Sequence, residues 1–344
     1  MKGIHVFYPN RYRNGMYWDS KEKKFMNDPG SKDPNYHPYV LHDFDVIVAY
    51  LSVLNWKKYN GEIELYTNEE GLEIFEKLGL APLYDKIDVK IIDEQIQKNN
   101  ISTNIFWAGY KLMVLSQLKA PFVVLDLDFY AELSFEDIGF FDKDMGLFHF
   151  EEKSLTYPFP PVLKGYDQVD WPQNWDWKSH AVNVALLYFG NQKALEEYTS
   201  IALDYMNDNS EGSIYEQFNT RMTFAEQRIL GEFVEKSEYT TDVLITGLYY
   251  PLYANDNCIG FRDVKNLRNG IFRETDHGLH KHSNITNASL KLNHLWGYKA
   301  MLLKNKMDRA NFVVRLTEKM ERDFPEHYDQ LNRGLINWYN DRIK

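Results

Sequence analysis

The sequence predicts an α/β protein with a mixed, mostly parallel central sheet flanked by helices and a C-terminal helical extension. Three observations carry that prediction. Short apolar runs of strand length alternate with amphipathic helical stretches from Gly3 as far as Asp128. The run Phe122-Val123-Val124-Leu125 is apolar without a break, the pattern of a strand covered on both faces. From Met301 onward the pattern is helical, with Phe324-Pro325 dividing it into two pieces. A chain of 344 residues, 44% of them apolar and 15% aromatic, can bury a full core. The expected division is a domain over residues 1–300 and an extension over 301–344 packed on it.

Gly3 to Tyr8 reads as a strand ending at Pro9-Asn10. Arg11 to His42 is polar and broken by Pro29, Pro34, Pro38, Gly15 and Gly30, a long excursion of the kind that carries function or moves. Asp43 or Asp45 could cap the next helix, in which Val46, Ala49, Tyr50, Val53 and Leu54 recur on one face. Glu62 to Thr67 is a second strand, and Leu72 to Leu78 a short helix stopped by Gly79 and Pro82. Val89 to Asp93 is a candidate third strand. Ala108 to Lys119 follows as a helix with Leu112, Leu115 and Leu118 on one face. Strand and helix thus alternate up to Phe122–Leu125, which implies parallel pairing through right-handed crossovers. Met145 to Phe150, Val182 to Phe189 and Val243 to Tyr249 read as later strands, Ala194 to Tyr205 and Phe224 to Glu235 as helices. Tyr157 to His180 holds Pro158, Pro160 and Pro161 and Trp171, Trp175 and Trp177, and Gly260 to Ser289 is irregular. There is no internal repeat and no low-complexity tract.

The net charge of −11, with no compensating basic tract, argues against a nucleic-acid surface, and a polyanionic substrate would need a local cation to approach. The single cysteine, Cys258, excludes an intramolecular disulfide and fits a reducing compartment. No apolar run approaches a membrane span, and the chain opens on a strand-like segment instead of a signal peptide; a soluble, cytoplasmic protein is expected. The mixed charge of the C-terminal helices suits packing or a homodimer contact better than attachment to lipid.

The candidate active site is Lys119 to Tyr130. The buried strand ends in Asp126-Leu127-Asp128, and strand alternation would put both carboxylates on one face. Two carboxylates at the end of a buried strand repel each other and lose solvation, which a divalent cation relieves. The carboxyl end of such a strand is also where ligands bind in open α/β sheets. A polar turn without a metal is the plain alternative. Asn183, inside an apolar strand, needs partners: it either holds a neighbouring loop or faces a cleft. The three tryptophans either floor a sugar subsite or fill the core. His277, His280 and His282 lie in a polar, irregular setting without cysteine and read as loop residues, not a zinc site.

With these elements placed, the chain resembles the GT-A class of nucleotide-sugar glycosyltransferases, with its Rossmann-like sheet, closest to the glycogenin-like family 8 pattern. It is also similar to a group of bacterial glycosyltransferase-like proteins. The likeness spans roughly residues 1–300 in element order. Val124-Leu125-Asp126-Leu127-Asp128 is similar to the family's Asp-X-Asp motif, and Lys111 stands where the family tends to carry a base facing the donor diphosphate. Val182 to Phe189 resembles the family's Asn-X-Gly strand, with Ala185 in place of the glycine. Glu226-Gln227 resembles an Asp-Gln pair lining the acceptor side. Asn293 to Lys299 resembles a late His-X-X-Gly segment, but the lysine falls one position early and the following Pro-Trp is absent.

The resemblance implies a metal-dependent transferase moving a sugar from a nucleotide diphosphate sugar, a UDP-sugar being the expected donor, to a glycan or other hydroxyl acceptor with retention. Asp126, Asp128 and His294 would hold the cation; a mixed oxygen and nitrogen set suits Mn²⁺, with Mg²⁺ a substitute. Asp126 would share this task with holding the ribose. Lys111, Lys299 and the backbone of Gly297 would meet the diphosphate, and Tyr8 and Asn10 would meet the base. Asn183, Glu226 and Gln227 would face the sugar and the acceptor, although a solvent-facing helix is the ordinary setting for Lys111, Glu226 and Gln227. Two other readings compete. One is a GT-A-like protein that binds sugar or nucleotide without turnover. The other is a haloacid-dehalogenase-like phosphohydrolase, whose Asp-X-Asp usually opens its domain and wants Thr or Val where Tyr130 stands.

Overall fold

The computed structural model describes residues 1–9, 16–19, 24–27, 41–103, 105–151, 166, 169–210, 218–249, 292–295, 299, 302–303 and 305–343. The first half runs β1 (Gly3–Val6), β2 (Met16–Asp19), β3 (Lys24–Asn27), α1 (Asp43–Tyr59), β4 (Ile63–Tyr66), α2 (Glu69–Lys77), β5 (Lys86–Asp88), α3 (Ile91–Lys98), α4 (Gly109–Leu115) and β6 (Phe122–Leu125). The second half runs β7 (Phe129–Ala131), β8 (Met145–Glu151), β9 (Ala181–Phe189), α5 (Gln192–Asp208), α6 (Phe218–Thr223), a π-turn (Phe224–Arg228), α7 (Ile229–Lys236), β10 (Thr241–Tyr249), β11 (Leu292–His294), α8 (Lys306–Asp323) and α9 (Pro325–Ile343).

Seven strands form the central sheet in the order β10-β8-β9-β6-β1-β4-β5. Four pairings are parallel, β1 with β4 and β6, β4 with β5, and β8 with β10. Only β9 runs against its neighbours β6 and β8. This is the mixed, mostly parallel sheet flanked by helices that the sequence predicts. The pleat explains the unbroken apolar run of β6: Val123 and Leu125 enter one core layer, Phe122 and Val124 the other. The β8–β9 register shifts between Leu147 and His149. A bulge of this kind re-aims side chains locally, and here it lies opposite Asn183 and Leu187.

One core layer is built on α1, whose residues from Asp43 to Trp56 are all buried. Its amphipathic reading underestimates that burial because α8 and α9 cover its outer side with Phe312, Leu316, Met320, Leu331 and Trp338. Polar ties fix this contact. Asp43 accepts from Arg309 Nε at 3.0 Å and from the Tyr339 hydroxyl at 2.9 Å, and Lys319 pairs with Glu132 at 2.8 Å. Gly334 lets α9 approach so closely that a Cβ there would meet the Leu78 carbonyl oxygen at 2.1 Å. The other layer packs α4, α5 and α7 on the sheet through residues such as Leu112, Tyr198 and Leu230.

Several expectations are corrected. The third strand is Lys86–Asp88, not Val89–Asp93, because the Asp88 carboxylate accepts the Lys90 and Ile91 backbone N–H groups at 3.0 Å and starts α3 there. The excursion after β1 contains the antiparallel β2–β3 hairpin. Of the two alternatives for the tryptophans the core is the one seen: Trp177 is 4% exposed, edge-on to Trp171 and Trp175 and tilted against Phe224, with Trp171 and Trp175 partly buried against the same layer. His277, His280, His282 and Cys258 lie outside the described residues. Among the described residues, no helix is long and apolar enough to cross a membrane.

Candidate active site

The carboxyl ends of β1 and β6 open on a cleft of about 450 Å³ lined by residues of β9, α1, α4, the π-turn and β11 as well. Asp126 and Asp128 border it, but strand alternation is not what brings them together. The strand stops at Leu125, and Phe129 N–H donates to the Asp126 carbonyl at 3.0 Å, so both acids sit on a tight turn into β7. The Asp126 N–H still donates to the Ala185 carbonyl at 2.9 Å, which anchors the turn on β9.

His294 reaches this turn through a short antiparallel ladder. β11 pairs with β7, setting His294 opposite Phe129, and Leu295 N–H donates to the Asp128 carbonyl at 2.9 Å. Its ring lies edge-on to Phe129 and Phe148 and is 3% exposed. Nε2 is 3.7 Å from Asp128 Oδ1, and Nδ1 has no hydrogen-bond partner among the described residues. Burial holds His294 below the usual histidine range against the pull of Asp128, which favours the neutral form that a metal ligand needs. One ligand atom from each of Asp126, Asp128 and His294 lies within 4.8 Å of the others.

Lys111 is not a solvated helix lysine. It is 7% exposed, with Nζ 2.6 Å from Asp126 Oδ1 and 2.8 Å from Glu226 Oε1. Burial opposes its charge, but the two carboxylates outweigh burial and hold it well above its ordinary value. Glu226 departs from the solvent-facing expectation in the same way. It sits on the π-turn, a geometry common at functional sites, and is 5% exposed. Burial pushes its carboxyl above the usual range, with Lys111 pulling it back.

Lys299 bridges Asp128 Oδ2 at 2.9 Å and Asp45 Oδ1 at 3.1 Å. Burial alone would raise Asp128, yet Lys299 first and His294 second hold it below the carboxylate range. Asp45 was expected only as a helix cap. It does accept the His42 N–H at 3.0 Å, and its other oxygen faces the cleft. Among the described residues lining the cleft, four carboxylates (Asp45, Asp126, Asp128 and Glu226) thus face only two ammonium groups. That deficit, together with the His294 Nε2 facing Asp128 Oδ1 at 3.7 Å, fits one divalent cation.

Asn183 satisfies both of its alternatives. It borders the cleft, donates to Glu151 Oε1 at 2.8 Å and accepts the Ala185 N–H at 3.0 Å. Gln227 also borders the cleft. Tyr8 packs on Tyr110, which lines it, at 5.6 Å between ring centroids. Asn10 and Gly297 lie outside the described residues. The sequence reading passed over Asp45, Trp107 and Tyr110 as cleft residues, and His149 and Glu151 behind Asn183. His149 and Glu151 carried a signal, since polar side chains inside the apolar β8 run raise the same question as Asn183.

No family model matches the chain, and no curated protein matches it. Among solved structures, mouse xyloside xylosyltransferase 1 in its apo form aligns at 12% identity and a TM-score of 0.33, covering 86% of this chain and 97% of that one. The galactosyltransferase LgtC in complex with donor and acceptor sugar analogues aligns at 12% identity and a TM-score of 0.37, covering 86% and 87%. HddC from Yersinia pseudotuberculosis aligns at 14% identity and a TM-score of 0.30, covering 70% and 88%. Likeness at this level carries no weight for function, which has to be read from the cleft itself.

Proposed function

We propose that the cleft moves a sugar from a nucleoside diphosphate sugar, of which a UDP-sugar is the favoured case, onto a hydroxyl acceptor. The observation that carries this reading is the meeting of Asp126, Asp128 and a buried His294 beside two ammonium groups at the mouth of β1 and β6. Mn²⁺ or Mg²⁺ held by those three residues would supply charge neutralisation for a departing diphosphate. Lys299, partly exposed and shared between two carboxylates, would meet a phosphate oxygen as a point charge. Lys111 is committed to Asp126 and Glu226, so its task is to keep both carboxylates in place. Asn183, pinned by Glu151 and Ala185, presents its amide edge toward a sugar, with Gln227 and Glu226 on the neighbouring wall. Retention at the anomeric carbon is proposed on the family resemblance.

Binding without turnover is the second reading. It is favoured by the Lys299 contact to Asp128, which competes for a ligand carboxylate, and by Ala185 where the family carries glycine. Thermal unfolding with Mn²⁺ and UDP, followed by an assay for sugar released from a panel of nucleotide sugars, separates the cases. Transfer chemistry predicts a melting shift that needs both additives and metal-dependent sugar release. A shift without release in the presence of candidate hydroxyl acceptors leaves only the binding reading. No shift at all sinks both.

A further inference from the structure

The two ammonium groups of the cleft are not equivalent. Lys111 is enclosed between Asp126 and Glu226, whereas the Lys299 side chain is 36% exposed and spans two acids from different elements. Asp45 holds its place without Lys299. It lies in the first turn of α1, where the helix dipole favours an anion, and its Oδ2 accepts the His42 N–H at 3.0 Å. Asp128 divides its oxygens: Oδ1 faces His294 Nε2 at 3.7 Å, Oδ2 faces Lys299 at 2.9 Å. The ammonium therefore has a fixed anion on each side, only one of which is a candidate metal ligand.

A carboxylate that shares its charge with an ammonium is a poorer ligand, and two cations on one carboxylate repel each other. We infer that Lys299 is a resident counter-cation for Asp128 that competes with a divalent ion, and that Asp45 is the positioning residue that takes up the ammonium when Asp128 turns to the ion. This rests on the metal role proposed above for Asp126, Asp128 and His294. It carries a functional consequence. A diphosphate that draws Lys299 away relieves Asp128, so metal and nucleotide bind better together than apart.

The test is Mn²⁺ binding to the full chain without nucleotide, measured by calorimetry for wild type, Lys299→Met, Lys299→Gln, Asp45→Asn and the Lys299→Met/Asp45→Asn double variant. Both Lys299 variants should bind Mn²⁺ more tightly, by about tenfold, the scale on which a neighbouring charge shifts a carboxylate. Their metal-free melting temperature should fall at the same time, because two ion pairs are lost. A merely structural lysine would lower both quantities. Asp45→Asn should weaken Mn²⁺ binding in wild type and do much less once Lys299 is gone. Unchanged or weaker binding in the Lys299 variants, with wild type binding normally, overturns the inference alone. Equal effects of Asp45→Asn in both backgrounds remove Asp45 from it. Failure of wild type and the Lys299 variants alike to bind Mn²⁺ brings down the metal reading as well.

Discussion

Lys111→Met tests the electrostatic frame of the cleft, because it keeps the length of the side chain and deletes only the charge. Glu226 is 6% exposed at its side chain, so the variant strands a buried carboxylate whose counter-charge was 2.8 Å away. Breaking such a buried pair costs about 3–5 kcal/mol. Asp126, 31% exposed at its side chain, keeps water and adds no more than about 1 kcal/mol. The loss should also depend on pH. Burial already places the Glu226 carboxyl above its ordinary value of 4.5, and without Lys111 it moves higher. A carboxyl raised in the folded state costs stability as pH rises from the unfolded value through the folded one. The defect is therefore small in mild acid and full at alkaline pH. Lys111 itself is raised above 10.5, so its contribution is complete throughout that range and adds no slope to wild type. Urea unfolding of wild type, Lys111→Met, Glu226→Gln and the double variant at two pH values measures all of this. The double variant should recover most of the loss. A loss below about 1 kcal/mol in Lys111→Met at neutral pH, or no recovery in the double, would refute the pairing.

Two further changes probe buried carboxylates outside the cleft lining. Burial pushes the Glu151 carboxyl up to about 7, partly offset by the hydrogen bond from Asn183. Wild-type stability should thus decline as pH rises from 4.5 toward 7, whereas Glu151→Gln keeps an acceptor for Asn183 and removes that slope; parallel melting-temperature profiles would contradict this. Glu232 accepts the N–H groups of Asp176 at 2.9 Å, Trp177 at 2.8 Å and Ser179 at 3.3 Å, and holds Trp177 at a left-handed φ of 58°. Glu232→Ala should cost about 2–4 kcal/mol and open the 171–180 loop to limited proteolysis; unchanged protection would assign that loop's order to aromatic packing instead.

The parts of this protein legible in its sequence are those governed by local pattern. Phe122–Leu125 could be placed because a strand buried on both faces leaves no polar residue, and β8, β9 and β10 could be placed as mainly apolar runs of strand length. Asp126 and Asp128 were identified by type and position, but their geometry was misjudged. A turn closed by the Phe129 N–H, invisible to strand periodicity, is what joins them. Glu226 and Lys111 looked like surface helix residues because each is buried by the other's element, a long-range event no window of sequence contains. Asp45 hid for another reason: an acid in the first turn of a helix is fully explained by capping, so nothing marked its second oxygen as part of a cleft. The burial of α1 from Asp43 to Trp56 likewise depends on α8 and α9, placed against it by the final stretch of the chain.

The account depends on one cation held jointly by Asp126, Asp128 and His294. Calorimetric titration with Mn²⁺ in the presence of UDP, for wild type and for Asp126→Asn, Asp128→Asn and His294→Ala, tests it most directly. Wild type should bind a single ion, and each variant should lose at least the 10–100-fold that changes to a metal's outer-shell partners cost, by order of magnitude. A wild type that takes up no Mn²⁺, or a His294→Ala variant that binds it as tightly as wild type, would contradict the account.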